Sequence, residues 1–436
     1  MSEENKGGNI FAIATMFALF FMIAFVTNFA ASMGVIAKAQ FQASNALSQL
    51  GNFANFFAYL FMGIPGGLIL KRKGYKFTAL VAVAVGFIGV GVQLLSGYVS
   101  SFAVYVLGAF VAGFSMCLLN LVVNPLLNTL GGGGNKGNQL VQFGCSLNSV
   151  GGTIAPVLLG YLIGGEVAKA KVMDAAPALM TAMGIFAVAF VIVAISKIPE
   201  LHMETAEEKE ARLSGKNSIV KDIATTLKFR HFVLGAIAIF FYIVIEVGIP
   251  AMGLNYMTEQ IKNADGTLSN GPGYVGAVVA GSVAAAYWFL MMVGRIFGGV
   301  LGGKISSRAM ITGVSSIAIA LLLGVIFMPV VMIEVPGLNA KIPLAMCLMA
   351  ACGLCTSVMW GGLFNMATEG LGKYVPIASG IYMAMVSGGM LIPLQGLLAD
   401  KIGILNSYSM TIALLAYLLF YALAGSKLAR PDIKVD

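Results

Sequence analysis

The chain has 436 residues, 59% of them hydrophobic and only 10% charged, with a mean hydropathy of +0.91. Soluble domains carry about 25% charged residues, so this composition excludes a water-soluble globular domain. A formal net charge of +8 would suit a nucleic-acid partner if it formed one basic face, but it is spread over short loops.

A bilayer-spanning helix needs about 20 mostly apolar residues, and twelve such runs follow one another. They lie at 9–37, 47–70, 77–97, 101–129, 138–165, 174–196, 232–257, 272–302, 309–333, 342–368, 375–398 and 404–426. The leading stretch MSEENKGGN lacks the basic start and small-residue cleavage site of a signal peptide, so the first run is read as a mature helix. The expected fold class is an all-α membrane protein of twelve transmembrane helices in two six-helix halves. Residues 1–197 and 232–436 form the halves, and the charged segment 198–231 is a cytoplasmic linker carrying a short solvated helix.

Lysine and arginine divide unevenly across these crossings. Lys6, Lys71, Arg72, Lys73, Lys76, Lys136, the run from Lys197 to Arg230, Lys304, Arg308, Lys373, Lys427, Arg430 and Lys434 share one side; Lys38, Lys169, Lys171, Lys262, Lys341 and Lys401 fall on the other. The positive-inside bias places both termini in the cytoplasm of a cell (inner) membrane. No nucleic-acid partner is expected. Cys352-x-x-Cys355 has redox or zinc spacing, yet it sits at membrane depth with no second pair or nearby His, as small buried residues do. No metal and no resident cofactor are expected.

Two motifs recur six helices apart. SVGGTIAPVLLG, with Gly151, Gly152 and Pro156, lies in the fifth run; VSGGMLIPLQGLL, with Gly388, Gly389 and Pro393, lies in the eleventh. GIPGGLILKRKG closes the second run and GRIFGGVLGGKISSR the eighth. Repetition in the same orientation is the parallel repeat of a two-half transporter. The glycines allow close helix approach. Each proline frees the carbonyl four residues back, where a helix can flex.

The stretches VVNPLLNTLG, SLNSVGGTIAPVLLG, FFYIVIEVG, EGLGK and SGIYMAMVSGGMLIPLQGLLAD resemble the major facilitator superfamily, and within it the fucose/galactose/glucose–proton symporter family. The resemblance implies a secondary transporter, not an enzyme, whose halves rock around a midplane site for a monosaccharide or small saccharide. The basic loop Gly67–Lys76 resembles the superfamily's gating loop, with Arg72 as a gating residue, but Lys71 stands where an Asp is usual.

Charge inside a bilayer is costly, about 2.5–3.5 kcal/mol on insertion scales, and marks function by default. Glu246 is the acid that lies deep in a run, with Tyr242 one turn before it and Pro250 one turn after, so that its own carbonyl is freed. Uncharged polar residues form stripes: Asn120, Asn124 and Asn128 in the fourth run; Gln49, Asn52, Asn55 and Tyr59 in the second; Gln142, Cys145, Asn148 and Ser149 in the fifth; Asn28 and Ser32 in the first. Amides both donate and accept, which suits sugar hydroxyls and interhelical bonds alike. Trp360 is read as an aromatic platform beside them, with Tyr382 and Gln395 as further binding residues and Trp288 as the other tryptophan. Arg295 is read as a gating or anchoring residue.

Against the resembled family, the positions of two membrane acids are Ala31 and Asn120 here, and an amide position of the fifth helix is Cys145, while Asn148 is kept. Glu246 matches the acid of glucose/galactose-type members. Any coupling to H+ or Na+ therefore falls to Glu246. The expectation is a monomeric hexose carrier in a lipid bilayer, cation-coupled; an uncoupled facilitator, a carrier of another small polar solute and a non-transporting sensor are the alternatives.

Overall fold

The computed structural model describes residues 10–25, 40–41, 50–163, 171–200, 203–206, 209–210, 219–260, 275–329, 331–335 and 340–428. Hydrocarbon offers no water to backbone groups, so apolar runs satisfy them internally as helices. The helices are α1 (Ile10–Phe25), α2 (50–73), α3 (75–98), α4 (Phe102–Leu130), α5 (Gly134–Ile163), α6 (Ala176–Ile195), α7 (Arg230–Gln260), α8 (Val275–Gly302), α9 (Ser307–Phe327), α10 (Leu344–Thr368), α11 (Gly372–Ile402) and α12 (Ile404–Gly425). Among the described residues nine helical stretches, α2 and α3 running as one, are long and apolar enough to cross a membrane.

The interior is unevenly shared. Every residue of α4 from Ser115 to Leu127 is buried, as is every residue from Met359 to Thr368 in α10. By contrast α6 and α9 expose Val188, Val191, Ile317 and Phe327, the surface a bilayer covers.

Two boundaries differ from the sequence expectation. The ninth run ends at Phe327 rather than 333, because β1 (Met332–Val335) pairs antiparallel with β2 (Ala340–Pro343) in the register Met332↔Pro343. Met332-Ile333 and Ile342-Pro343 were assigned to membrane runs on apolarity, although Pro336-Gly337 between them is a hairpin signal. The second difference is continuity. α2 passes into α3 at Gly74, whose φ of 84° and ψ of 178° leave the helix. The Glu200 carboxylate occupies the place a Cβ of residue 74 would take, and it accepts the backbone N–H groups of Tyr75 and Lys76. The linker is thus strapped to this corner: Glu204 donates its N–H to the Lys71 carbonyl at 2.8 Å, and Lys71 pairs with Asp222 of the linker helix Ile219–Thr226 at 3.1 Å. Where an Asp was expected, the reversed charge finds its acid on the linker.

The recurring glycines have a physical explanation in the packing. A Cβ on Gly151 of α5 would meet the Phe21 carbonyl of α1, and a Cβ on Gly388 of α11 would meet the Phe240 carbonyl of α7. Each contact repeats the other six helices along. The second echo lies on the seam between halves. A Cβ on Gly63 would stand 2.5 Å from the Ala384 nitrogen, and one on Gly67 2.7 Å from the Pro376 carbonyl, so α2 and α11 cross backbone to backbone. Gly299 of α8 takes a side chain of α5, with Phe143 2.7 Å from its Cβ position, while Gly298 faces Val358 of α10.

The motifs differ in conformation. α5 runs as unbroken α-helix through position 156, whereas α11 tightens to a 3-10 helix over Met385–Leu391 before resuming at Ile392. α10 is also interrupted, its helices Leu344–Thr356 and Met359–Thr368 parted at Ser357 and Val358.

Candidate functional site

At the middle of α7 the Glu246 carboxylate meets the Arg295 guanidinium of α8 at 2.9 Å, with side chains only 13% and 6% exposed. Pro250 supplies no amide to the Glu246 carbonyl, and the Tyr287 hydroxyl donates to that carbonyl at 3.1 Å instead. The same hydroxyl shares a 2.9 Å hydrogen bond with Thr356 Oγ1, and Tyr242 donates to the Thr356 carbonyl at 3.3 Å, where α10 breaks. α8 is thus tied to α7 at the carbonyl that Pro250 leaves free, and both are tied to α10 at its break. The cation also reaches the other half. Arg295 Nη1 donates to Ser149 Oγ at 2.6 Å and to the Cys145 carbonyl at 3.2 Å, both in α5.

A neutral chain runs beside this pair. Asn120 Nδ2 donates to the Tyr59 hydroxyl at 3.1 Å, Asn124 Nδ2 donates to the Asn120 carbonyl at 2.9 Å, and Trp360 Nε1 donates to Asn124 Oδ1 at 2.9 Å. It joins α2, α4 and α10. The indole also lies among the rings of Tyr242 and Tyr382, with centroids 6.3 and 6.5 Å away. Two buried polar atoms in this region, the Tyr382 hydroxyl and Gln395 Oε1, have no protein partner.

The profile of the Major Facilitator Superfamily matches residues 15–393. The chain belongs to this superfamily. It is 30% identical over 431 residues to the glucose/galactose transporter of Brucella abortus (biovar 1, strain 9-941), covering 98% of this chain and 96% of that protein. A putative glucose/galactose transporter of Helicobacter pylori (strain J99) is 26% identical over 444 residues, covering 97% and 98%. Among solved structures, the fucose:proton symporter of Escherichia coli superposes with a TM-score of 0.77 at 18% identity, over 95% of this chain and 98% of that one. The fold is therefore twelve transmembrane helices in two six-helix halves. A major facilitator is a transport protein rather than an enzyme, a multi-pass secondary carrier working by alternating access.

In this carrier the halves are sealed at one end. Besides the glycine crossings, Gln142 Nε2 donates to the Val358 carbonyl at 2.8 Å and Asn128 Nδ2 to Asn365 Oδ1 at 3.2 Å, joining α5 and α4 to α10. A cleft of about 200 Å³ lies beneath that seal, between the α4–α5 and α10–α11 loops, lined by Asn128, Thr129, Asn365, Thr368 and Glu369.

Of the residues read from sequence, Asn120, Asn124, Tyr242, Glu246, Arg295 and Trp360 come together, with Tyr382 beside the indole; Gln142 belongs to the seal. Asn55 is buried where α2 crosses Gly113 of α4. Gln395 is buried in α11 and gives Nε2 to Thr411 at 3.1 Å. Asn148 donates to the Phe20 carbonyl of α1 at 3.1 Å, which makes it an interhelical tie. Arg72 is exposed beside the α2–α3 corner, away from the seam contacts. Asn28, Ala31, Ser32 and Gln49 lie outside the described residues, as does the side chain of Asn52. Trp288 is half-buried and stacks edge-on against Tyr287. Sequence reasoning missed Tyr287 and Thr356. Their signal was a tyrosine two turns before Arg295 and a threonine just before the break in α10.

Proposed function

We propose that this carrier moves a hexose-type monosaccharide across the cell (inner) membrane as a monomer with both termini cytoplasmic. The halves 1–197 and 232–436 rock around the central network, while 198–231 tethers them. The single observation that carries the reading is the indole of Trp360, an apolar face whose N–H is held by the amide chain Asn124–Asn120–Tyr59. An aromatic face beside neutral donor–acceptor groups suits a sugar ring and its hydroxyls, and it suits a charged solute poorly. The names of the Brucella and Helicobacter relatives support the same cargo. Asn28, Asn52, Asn55, Gln142, Asn148, Tyr242, Tyr382 and Gln395 are the further binding residues of this proposal, with Arg72 as a loop residue of the gate.

Coupling is assigned to Glu246, and the coupled ion to the proton. Arg295 already places a positive charge against the carboxylate, so a sodium ion there would meet like charge. A proton on Glu246 removes the anion that holds Nη2, while Nη1 stays bound to Ser149 and Cys145 of the other half. The gate role of Arg295 follows from that shared grip. If Glu246 keeps its charge throughout the cycle, the same geometry makes an uncoupled facilitator.

A panel of sugars and other small polar solutes, read by thermal shift in detergent and then by uptake into proteoliposomes, tests the cargo. Glucose or galactose is expected to stabilise the protein and to accumulate under an imposed proton gradient alone. Accumulation driven by sodium alone, or by neither gradient, overturns the coupling assignment.

A further inference from the structure

Asn138 stands on the first turns of α5, four residues before Gln142 and on the same face, inside the sealed end of the molecule. Both side chains are fully buried. Asn138 has no partner for its Nδ2 or its Oδ1, and Gln142 has none for its Oε1. Such groups are costly to bury unserved, and an apolar residue of equal volume at position 138 would seal the seam without that cost. Sealing therefore does not explain the amide.

Its surroundings suggest what does. The Asn138 amide lies between two glycines of the opposite half, with Nδ2 3.5 Å from the Cβ position of Gly302 in α8 and Oδ1 3.1 Å from that of Gly361 in α10. Gln142 Nε2 lies 2.9 Å from the Gly361 position. These amides face bare backbone, between the Trp360 network and the cleft below the seal, and they come apart from the glycines when the halves part. Neutral amides that donate and accept, with no charge among them, match neutral hydroxyls rather than ions.

The geometry points to Asn138 and Gln142 as a second, outer subsite on the sealed side, which binds hydroxyls of the polyol cargo once that side opens. This rests on the reading of the cargo as a sugar. In the sealed state the same unserved atoms favour opening.

The test compares uptake of labelled D-glucose and D-galactose into right-side-out and inverted membrane vesicles carrying the full-length protein. Asn138→Leu is expected to raise the half-saturation concentration about tenfold for sugar presented at the sealed-side face, and to leave the other face within about twofold. Asn138→Ser, which retains one hydroxyl, is expected to fall between. Equal changes at both faces, or no change at either, overturn the subsite while leaving the cargo reading intact. Should Asn138→Leu fail to insert, a serine variant with wild-type affinity at both faces overturns it equally. A wild-type protein that moves neither hexose refutes the cargo reading and this inference with it.

Discussion

The two halves solve the same packing problem with different backbones. In the N-terminal half α4 passes unbroken through Pro125 and α5 through position 156, and within the α4 stripe Asn124 donates to Asn120 one turn back. In the C-terminal half α10 parts at Ser357 and Val358, α11 tightens at Met385–Leu391, and α7 carries Pro250 beside its one deep acid. Irregular backbone at membrane depth persists only where other groups satisfy it. Here Tyr242 serves the Thr356 carbonyl, Tyr287 the Glu246 carbonyl and Tyr408 the Ile249 carbonyl, the last at 2.8 Å. Deformable turns and membrane-depth charge thus share one half, which faces a straighter, neutral reading surface in the other.

The sharpest way to break this contrast is Glu246→Gln. The amide retains an acceptor oxygen for Arg295 but cannot titrate, so accumulation against a gradient is expected to vanish while exchange of labelled sugar continues. A variant that still concentrates sugar would leave the C-terminal half with no special chemical role. Trp360→Phe follows in size. It retains the ring and removes the donor to Asn124, and a lost hydrogen bond of this kind costs about 0.5–1.5 kcal/mol, or up to about tenfold in sugar affinity. Asn124→Ala should give a similar loss, and the double variant little more, if the two residues act through their one shared bond. Gly151→Ala and Gly388→Ala compare the repeats directly. Both put a methyl onto a neighbouring carbonyl, an overpacking typically costing about 1–3 kcal/mol, read as a lower melting temperature. Transport per folded molecule should fall further for Gly388→Ala, because 3-10 stretches inside helices mark hinges. Smallest is Lys71→Ala, which removes a partly exposed pair with Asp222 and should shift stability by about 0–1 kcal/mol. A large loss of transport from that change would make the linker strap part of the moving gate.

Much of the fold was legible because membrane helices announce themselves by length and apolarity, and glycine pairs repeat at a fixed helix offset. The strand pair Met332–Val335 and Ala340–Pro343 was not, since its apolar ends continue the runs beside them. The break in α10 was hidden for a different reason, whereas the tightening of α11 falls on Gly388-Gly389, where flexing was expected. Ser357-Val358 carries no proline or glycine of its own, and the break is held by tyrosines distant in sequence. In the site, Glu246 was visible as an isolated acid, while its ion pair with Arg295 was not, because the rise of α8 against α7 is a tertiary fact. The amide stripe of α4 was legible as one face, whereas the half-buried Asn148 of α5 gives its amide to a neighbouring helix.

One feature makes the carrier its own optical instrument. The chain has two tryptophans, and the indole of Trp360 spans the seam by its bond to Asn124 while that of Trp288 stays within one half. Parting of the halves at the sealed end exposes the first indole to water and leaves the second in place. Emission from a Trp288→Phe protein should therefore shift to longer wavelength, and become accessible to an aqueous quencher, in step with each turnover.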